Sequence, residues 1–491
     1  MNRSFTRFLI LGGAKVLRIP VAMVVIVLLS RGIGPEGVGN WSMIVAVAAF
    51  FQSVFLYWTQ AQAVRLGREE WLSTNRLSRT WAERWPLIVL ALGLSALLIA
   101  FRPFSFFERL TGLPSSWWPL PLAYLIGLWC VSEAQCLLQT TGRFTRLASF
   151  QLISELIVVI FLLMLLVLSS AASRFLAFAG IIFITTACAA LVWVIEFAFS
   201  RSWGGTVTMG GTRRMAATSW PVIMSALFGY VSDWGDHLIL QQFGGAGDVG
   251  KFHSCYLVMT TLMGLAAPVL VVCVPQLVDN LSRNPRAEAV FLRQTVPVVV
   301  LFWLLGLIPT LAVIPWLFGV VFGPDFASAI PILLVLCIAV PGAIFSYLYS
   351  ALFNIQGRMG QSAVIIAIMT VVNMTISFSL VPEFGGLGAA IGTACSYFIY
   401  QLLYMINQHV RLSVPIALPG TLFFCAYLFG VLQWFAGESV ALRVVLAIAS
   451  MTAVLLLARA LNFSKPGMIA SMLPERFLWF GRFMDRILTR A

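Results

Sequence analysis

Apolar runs of roughly eighteen or more residues recur from one end of this 491-residue chain to the other, and each is long enough to cross a bilayer. Inside hydrocarbon every backbone amide must find its partner within the segment, so such runs dictate helices packed side by side. Charged residues make up only 10% of the chain, against about 25% in a soluble domain. The short alternating segments of an outer-membrane barrel do not dominate. The expected fold is therefore all-α and integral to a membrane.

Fourteen spans are expected, the first near residues 8–30 and the last near 442–461. The opening stretch could pass for a signal peptide. Lys15 and Arg18 interrupt its apolar region, however, and no small-x-small cleavage site follows, so it reads as the first span. An even count puts both termini on one side. Of the 31 Lys and Arg residues, 23 then fall on the side of the termini and six on the other, which makes the terminal side cytoplasmic. The net charge of +13 follows from this topology and needs no nucleic acid.

A glycine-punctuated octet occurs twice. GPEGVGNW at 34–41 is echoed by GAGDVGKF at 245–252, which pairs Gly34 with Gly245 and Gly39 with Gly250. LLQTTGRF at 137–144 resembles ALFNIQGRM at 351–359, and ERLTGLPSSWWPLP at 108–121 weakly resembles GPDFASAIPILLVL at 323–336. Ordered echoes at nearly one offset imply a duplicated six-span unit. Six spans return the chain to its starting side, so the copies are parallel and related by a pseudo-twofold along the membrane normal. The expected organisation is two six-helix bundles, 1–200 and 217–410, an added helix pair at 416–461, and a cytoplasmic amphipathic tail at 462–491. The octets become the outer turns of the first hairpin in each bundle, where glycine permits a tight reversal.

Charges inside spans are costly and mark candidate sites. Lys15 and Arg18 sit three apart on one helical face. They either pair with Glu133 and Glu155 within the first bundle or face a central cavity and attract an anionic head group. Arg31, at the outer end of the same span, completes the candidate substrate-binding set. In span 7, Asp233, Asp236 and His237 stand at i, i+3 and i+4, a pattern suited to a proton or cation relay or to a wet outer cap. Asp233 is expected to lie deepest. Glu133 and Glu155 join these three as ion-coupling candidates. In the repeat register Lys15 and Arg18 correspond to Ala226 and Gly229. Asn354, Gln356, Asn373 and Asn407 are read as interhelical polar contacts or as the lining of a sugar path.

The eight cysteines and three histidines are scattered, without CxxC pairs or Cys/His clusters, so neither disulfides nor metal sites are expected. No nucleotide-binding loop appears, and no cofactor is expected. Residues 64–85, basic and Trp-studded, and the tail around 475–490 read as interfacial segments facing anionic lipids.

LLSRGIGPEGVGNWSM, SDWGDHLILQQFGGAGDVGKFHSCYLV and VFGPDFASAIPILLVLCIAVPGAIFSYLYSALFNIQGRMG together resemble polysaccharide flippases of the multidrug/oligosaccharidyl-lipid/polysaccharide exporter superfamily. The resemblance covers about residues 5–410. It implies a V-shaped pair of bundles that moves lipid-linked oligosaccharides, typically on undecaprenyl diphosphate, from the inner to the outer leaflet. It assigns Lys15 and Arg18 to the phosphate end and matches Asp233 to the acidic position of the span 7 signature. A pair of spans beyond twelve is similar to lipid II flippases, where it builds a lipid groove.

The function expected is export of an undecaprenyl-diphosphate-linked repeat unit across the bacterial inner membrane for exopolysaccharide, O-antigen or capsule. Expected partners are the lipid-linked oligosaccharide, a proton or sodium counter-ion, anionic lipids, and a polysaccharide polymerase with its export complex. The alternatives are a multidrug/cation antiporter of the same superfamily, a membrane-embedded polymerase or glycosyltransferase, and a scaffold for an assembly complex. Lys15 and Arg18 count against the antiporter, and the short outer segments leave little room for an enzyme.

Overall fold

The computed structural model describes residues 3–100, 105–113, 115–168, 174–202, 204–217, 219–266, 277, 286–437 and 439–460. The described residues form helices and connections without a strand. In order these are α1 (Arg3–Phe51), a π turn (Gln52–Leu56), α2 (Tyr57–Thr74), α3 (Ser78–Ala100), α4 (Ser105–Thr111), α5 (Pro119–Thr140), α6 (Phe144–Leu168), α7 (Arg174–Phe199), α8 (Met209–Ala217), α9 (Trp220–Phe243) and α10 (Gly245–Gly264). After a short turn of helix at Ala287–Val290 come α11 (Val296–Phe322), α12 (Ile330–Ala339), α13 (Ala343–Ile355), α14 (Met359–Phe384), α15 (Gly386–Leu412), α16 (Ala417–Phe435) and α17 (Val440–Ala460). Eleven helices among the described residues are long and apolar enough to cross a membrane. The tail at 462–491 lies outside the described residues.

Two compact units result: Met1–Ser254 with Met359–Ala389, and Cys255–Arg358 with Ala390–Ala491. In the first, α1 packs on α6 and α5, α5 packs on α7, and α9 packs on α14. Phe51, Leu56, Trp81, Leu125, Trp129 and Leu137 fill a buried apolar cluster among these helices. In the second unit, α11 packs against α16 and α17, and α12 against α16. The two C-terminal helices are thus bound to the body of that unit. Tyr349 there meets His409 at 2.8 Å. Gln356 donates to Glu288 at 2.8 Å and exchanges hydrogen bonds with Gln408 at 3.2 Å.

The echoed glycines share backbone conformations. Gly34 breaks α1 at φ 68°, ψ 179°, a region that only glycine occupies without strain. Its counterpart Gly245 has φ 76° and opens α10. Both octets therefore begin with a glycine that interrupts the helical run. Gly142 (φ 71°) and Gly357 (φ 67°) end α5 and α13 in the same way. In each case the amide after the glycine reaches back five residues, Arg143 to Leu138 and Arg358 to Phe353, both at 2.9 Å. That is the hydrogen bond of a Schellman cap. Gly112 (φ 63°) and Gly323 (φ 94°) likewise follow the last residues of α4 and α11.

Residues 64–85 are a helical hairpin. They form the end of α2, a left-handed turn at Asn75 (φ 54°) and the start of α3. Glu70 fixes the hairpin by accepting from the amides of Arg79 (2.9 Å) and Thr80 (2.8 Å) at the N-terminus of α3, where backbone dipoles favour an anion. Trp81 and Arg84 are buried. The connection to α9 docks on the same helix: Thr208 donates to the Glu83 carboxylate and Thr212 to the Glu83 carbonyl, both at 2.8 Å.

Candidate functional site

A cavity of about 410 Å³ lies in the first unit. Helix α9 supplies most of its wall through Val222, Ser225, Ala226, Gly229, Tyr230, Asp233 and Trp234. Their spacing of three and four residues puts them on one face. Ser53 and Tyr57 come from the π turn and the start of α2, and Met359 and Ile366 from α14. Asp233 is exposed and Tyr57 is half exposed. The lining thus combines three aromatic rings, two serine hydroxyls and one carboxylate.

The π turn has a geometric role. An extra residue rotates everything downstream by about 100°. Gln52 and Gln60, eight apart, would otherwise diverge by about 80°. With the extra residue they share a face, and Gln52 Nε2 lies 3.5 Å from Gln60 Oε1.

Those glutamines lead to a buried polar centre. Gln60 donates to Glu133 at 3.2 Å and Gln52 to Ser132 at 3.1 Å. Glu133 forms a bidentate pair with Arg84, at 2.6 and 2.5 Å, and both side chains are fully buried. Arg84 also donates to Thr59 and lies over the Trp81 ring. The Glu133 charge is therefore answered by Arg84 from α3, which lies in the stretch read as interfacial from the sequence. Bidentate pairing satisfies both ions where water is excluded.

The side chains of Lys15 and Arg18 lie outside the described residues. Arg31 is exposed on α1, three residues before Gly34. Glu155 is partly buried on α6. Glu196, near the end of α7, bridges Arg143 and Arg146 at 2.5 and 2.8 Å.

The span 7 polar residues differ in burial. Asp233 is the exposed member, whereas Asp236 and His237 are 1% exposed. Three residues turn a helix by about 300°, so Asp233 faces the cavity while Asp236 faces α14. Asn373 of α14 donates to Asp236 Oδ2 at 3.0 Å, and Thr370 donates to the Phe228 carbonyl at 2.9 Å. His237 Nε2 meets His253 Nδ1 at 2.9 Å. Trp234 covers this pair, with ring centroids 5.0 Å from His237 and 5.8 Å from His253. Among the described residues no group of three or more His, Cys, Asp and Glu side chains is placed to hold a metal ion.

Sequence reasoning missed Arg84, His253 and the aromatic lining Tyr57, Tyr230 and Trp234. A signal for the last two existed. Ala226 and Gly229, the repeat equivalents of Lys15 and Arg18, share the face of Tyr230 and Trp234.

A family model described as polysaccharide biosynthesis protein matches residues 6–281. Over 126 residues, 25% of this chain and 23% of the relative, the sequence is 34% identical to an uncharacterized membrane protein of Methanocaldococcus jannaschii. The structure resembles the lipid II flippase MurJ in its inward closed conformation, with TM-score 0.66 and 14% identity over 92% of this chain and 99% of that one. It also resembles an inward-facing MATE-family multidrug resistance transporter of the MOP superfamily, with TM-score 0.58 and 14% identity over 82% and 96% of the two chains. At these identities the likeness carries the fold. This is a multi-pass membrane protein with the fold shared by those two structures, and the chain belongs to the polysaccharide biosynthesis protein family.

Proposed function

We propose that the protein flips an undecaprenyl-diphosphate-linked oligosaccharide repeat unit across the bacterial inner membrane by alternating access. Two six-helix bundles, 1–200 and 217–410, carry the motion. The pair 416–461 is an appendage, fourteen spans cross the bilayer, and both termini are cytoplasmic.

One observation carries this reading. The cavity is lined by Ala226 and Gly229, the positions that the duplication makes equivalent to Lys15 and Arg18. A twofold-related face of span 1 would bring those two cations to the same central space, where a diphosphate finds charge-assisted donors. The sugar end then meets aromatic rings and hydroxyls. Asp236, backed by Asn373 and beside the His237–His253 pair, is the candidate coupling group in place of Asp233. Its ion is a proton or sodium.

The test is flipping of a fluorescent polyprenyl-diphosphate glycan in proteoliposomes. The wild type transfers it, and the Lys15→Ala/Arg18→Ala protein, inserted in equal amount, does not. Equal transfer by both removes the diphosphate site. A second reading, a cation antiporter, is favoured by Asp233 standing among three aromatic rings, which is also the chemistry of cation recognition. Wild-type uptake of tetraphenylphosphonium without glycan flipping would select it.

A further inference from the structure

A second cavity, of about 330 Å³, lies in the first unit between the start of α3 and the end of α7. Four rings line it, Trp81 and Trp85 from α3 and Trp193 and Phe197 from α7. They brace one another: Phe197 meets Trp81 edge-on at 5.3 Å and Trp193 at 5.7 Å. The connection that follows α7 supplies another side through Ser202, Gly205 and Val207. It is tied to α3. Thr208 and Thr212 both bond to Glu83, and a β-carbon on Gly205 would fall 2.0 Å from the Ser78 carbonyl oxygen. Trp85 and Val194 are the exposed members of the α3 and α7 walls. From Trp85 an exposed apolar row runs on along α3 through Val89 and Leu90, and from Val194 one runs back along α7 through Leu191. Both helices are long and apolar enough to cross a bilayer, so these rows face lipid tails and the cavity opens onto them.

We propose that this cavity takes one acyl chain of an anionic glycerophospholipid from the surrounding bilayer, and that Arg79 and Arg201 hold its phosphate. The site shares no lining residue with the cavity on α9 and stands whether or not the protein flips glycans. Arg201 is exposed and directly precedes Ser202. Arg79 stands two residues before Trp81, and its side chain is 75% exposed. It gives its Nε to Glu83 at 3.1 Å, and a guanidinium has further N–H donors to offer a phosphate. The carboxylates nearby are engaged. Glu83 accepts from Arg79 and Thr208, Glu70 from the amides of Arg79 and Thr80, and Glu196 from Arg143 and Arg146. The rim therefore presents positive charge. A chain that leaves lipid for an apolar wall gains little hydrophobic free energy, because lipid tails are as apolar as the wall. Selectivity thus comes from the head group, and cations at a membrane surface draw anionic lipid. Phospholipid is the bulk component of a bilayer and outnumbers any carrier lipid, so mass action fills the site with it.

The experiment measures lipid binding to the full-length protein, purified in detergent, by native mass spectrometry. The probes are dioleoyl phosphatidylglycerol, dioleoyl phosphatidylcholine and a short-chain polyprenyl phosphate. The wild type is expected to bind phosphatidylglycerol about tenfold more tightly than phosphatidylcholine. Val194→Trp, which sets an indole in the cavity mouth, weakens phosphatidylglycerol about tenfold. Val207→Trp does the same from the connection and serves where the first variant does not fold, which thermal unfolding without lipid decides. Arg79→Gln/Arg201→Asn narrows the head-group preference to about threefold or less; asparagine tolerates the left-handed backbone of Arg201, φ 49°. Equal affinity for the two phospholipids in the wild type overturns the inference. So does phosphatidylglycerol affinity unchanged in both tryptophan variants, or a full head-group preference kept by the arginine variant. Polyprenyl phosphate that displaces phosphatidylglycerol from the wild type and loses its affinity in Val194→Trp overturns it in favour of the carrier lipid.

Discussion

Gly250 lies so close to the backbone of Pro35 that a β-carbon added to it would fall 1.8 Å from the Pro35 carbonyl oxygen. Gly39 stands in the same relation to Ala246, again at 1.8 Å. Pro35 and Ala246 are repeat partners, as are Gly39 and Gly250, so the contact is reciprocal. Each octet supplies the glycine that admits the other's backbone, which is the form a contact takes across a twofold axis.

Substitution at these four glycines is expected to separate two causes. Gly34→Ala and Gly245→Ala meet nothing within 4 Å, so their cost is backbone strain of about 1–3 kcal/mol. Gly39→Ala and Gly250→Ala drive a methyl into a carbonyl and force the two hairpins apart. They should lower the thermal midpoint more than the first pair. Thermal unfolding in detergent gives the order, and equal losses at all four sites would remove the reciprocal contact.

The Arg84–Glu133 pair predicts an asymmetric mutant cycle. Glu133→Gln leaves a buried guanidinium uncompensated and should cost about 3–5 kcal/mol. Arg84→Met/Glu133→Leu removes both charges and should be less destabilised than Glu133→Gln. Unfolding of the two proteins against wild type decides it. A double mutant worse than the single would mean that the charge itself is required.

Asp233 and Asp236 should part company on stability. Asp233→Asn changes an exposed group and should shift stability by about 0.5 kcal/mol or less. Asp236→Ala strands the Asn373 donor in a buried site and should cost about 1–3 kcal/mol. Thermal unfolding checks both, and a larger loss at Asp233 would reverse the orientation of α9.

A prediction for coupling follows from the same two residues. With a set ion gradient across proteoliposomes, Asp236→Asn should abolish the dependence of flipping on the gradient, while Asp233→Asn retains it. Gradient-dependent flipping by Asp236→Asn protein would dismiss Asp236 as the coupling group.

The helices and their reversals were legible because length, hydropathy and glycine act locally. Gly34, Gly142, Gly245 and Gly357 each announce a bend that their own neighbours impose. What could not be read was rotation. Whether Asp233 or Asp236 faces inward depends on where α14 packs on α9, a long-range fact that leaves no mark within α9. The pairing of Arg84 was hidden for a related reason. Its cost in an apolar span is cancelled by Glu133, and nothing near Arg84 in the chain says so. The aromatic lining escaped notice because Tyr57, Tyr230 and Trp234 look like ordinary packing residues until the π turn and α9 bring them to one space.

The separation of Arg84 from its partner has a consequence for biogenesis. The two are 49 residues apart in the chain, so the third helix reaches the translocation machinery before the carboxylate that neutralises it has been synthesised. During that interval the guanidinium counts, to the inserting membrane, as one more positive charge to be retained on the near side. Only when α5 arrives does Glu133 supply the countercharge, so the ion pair closes after both helices have been made.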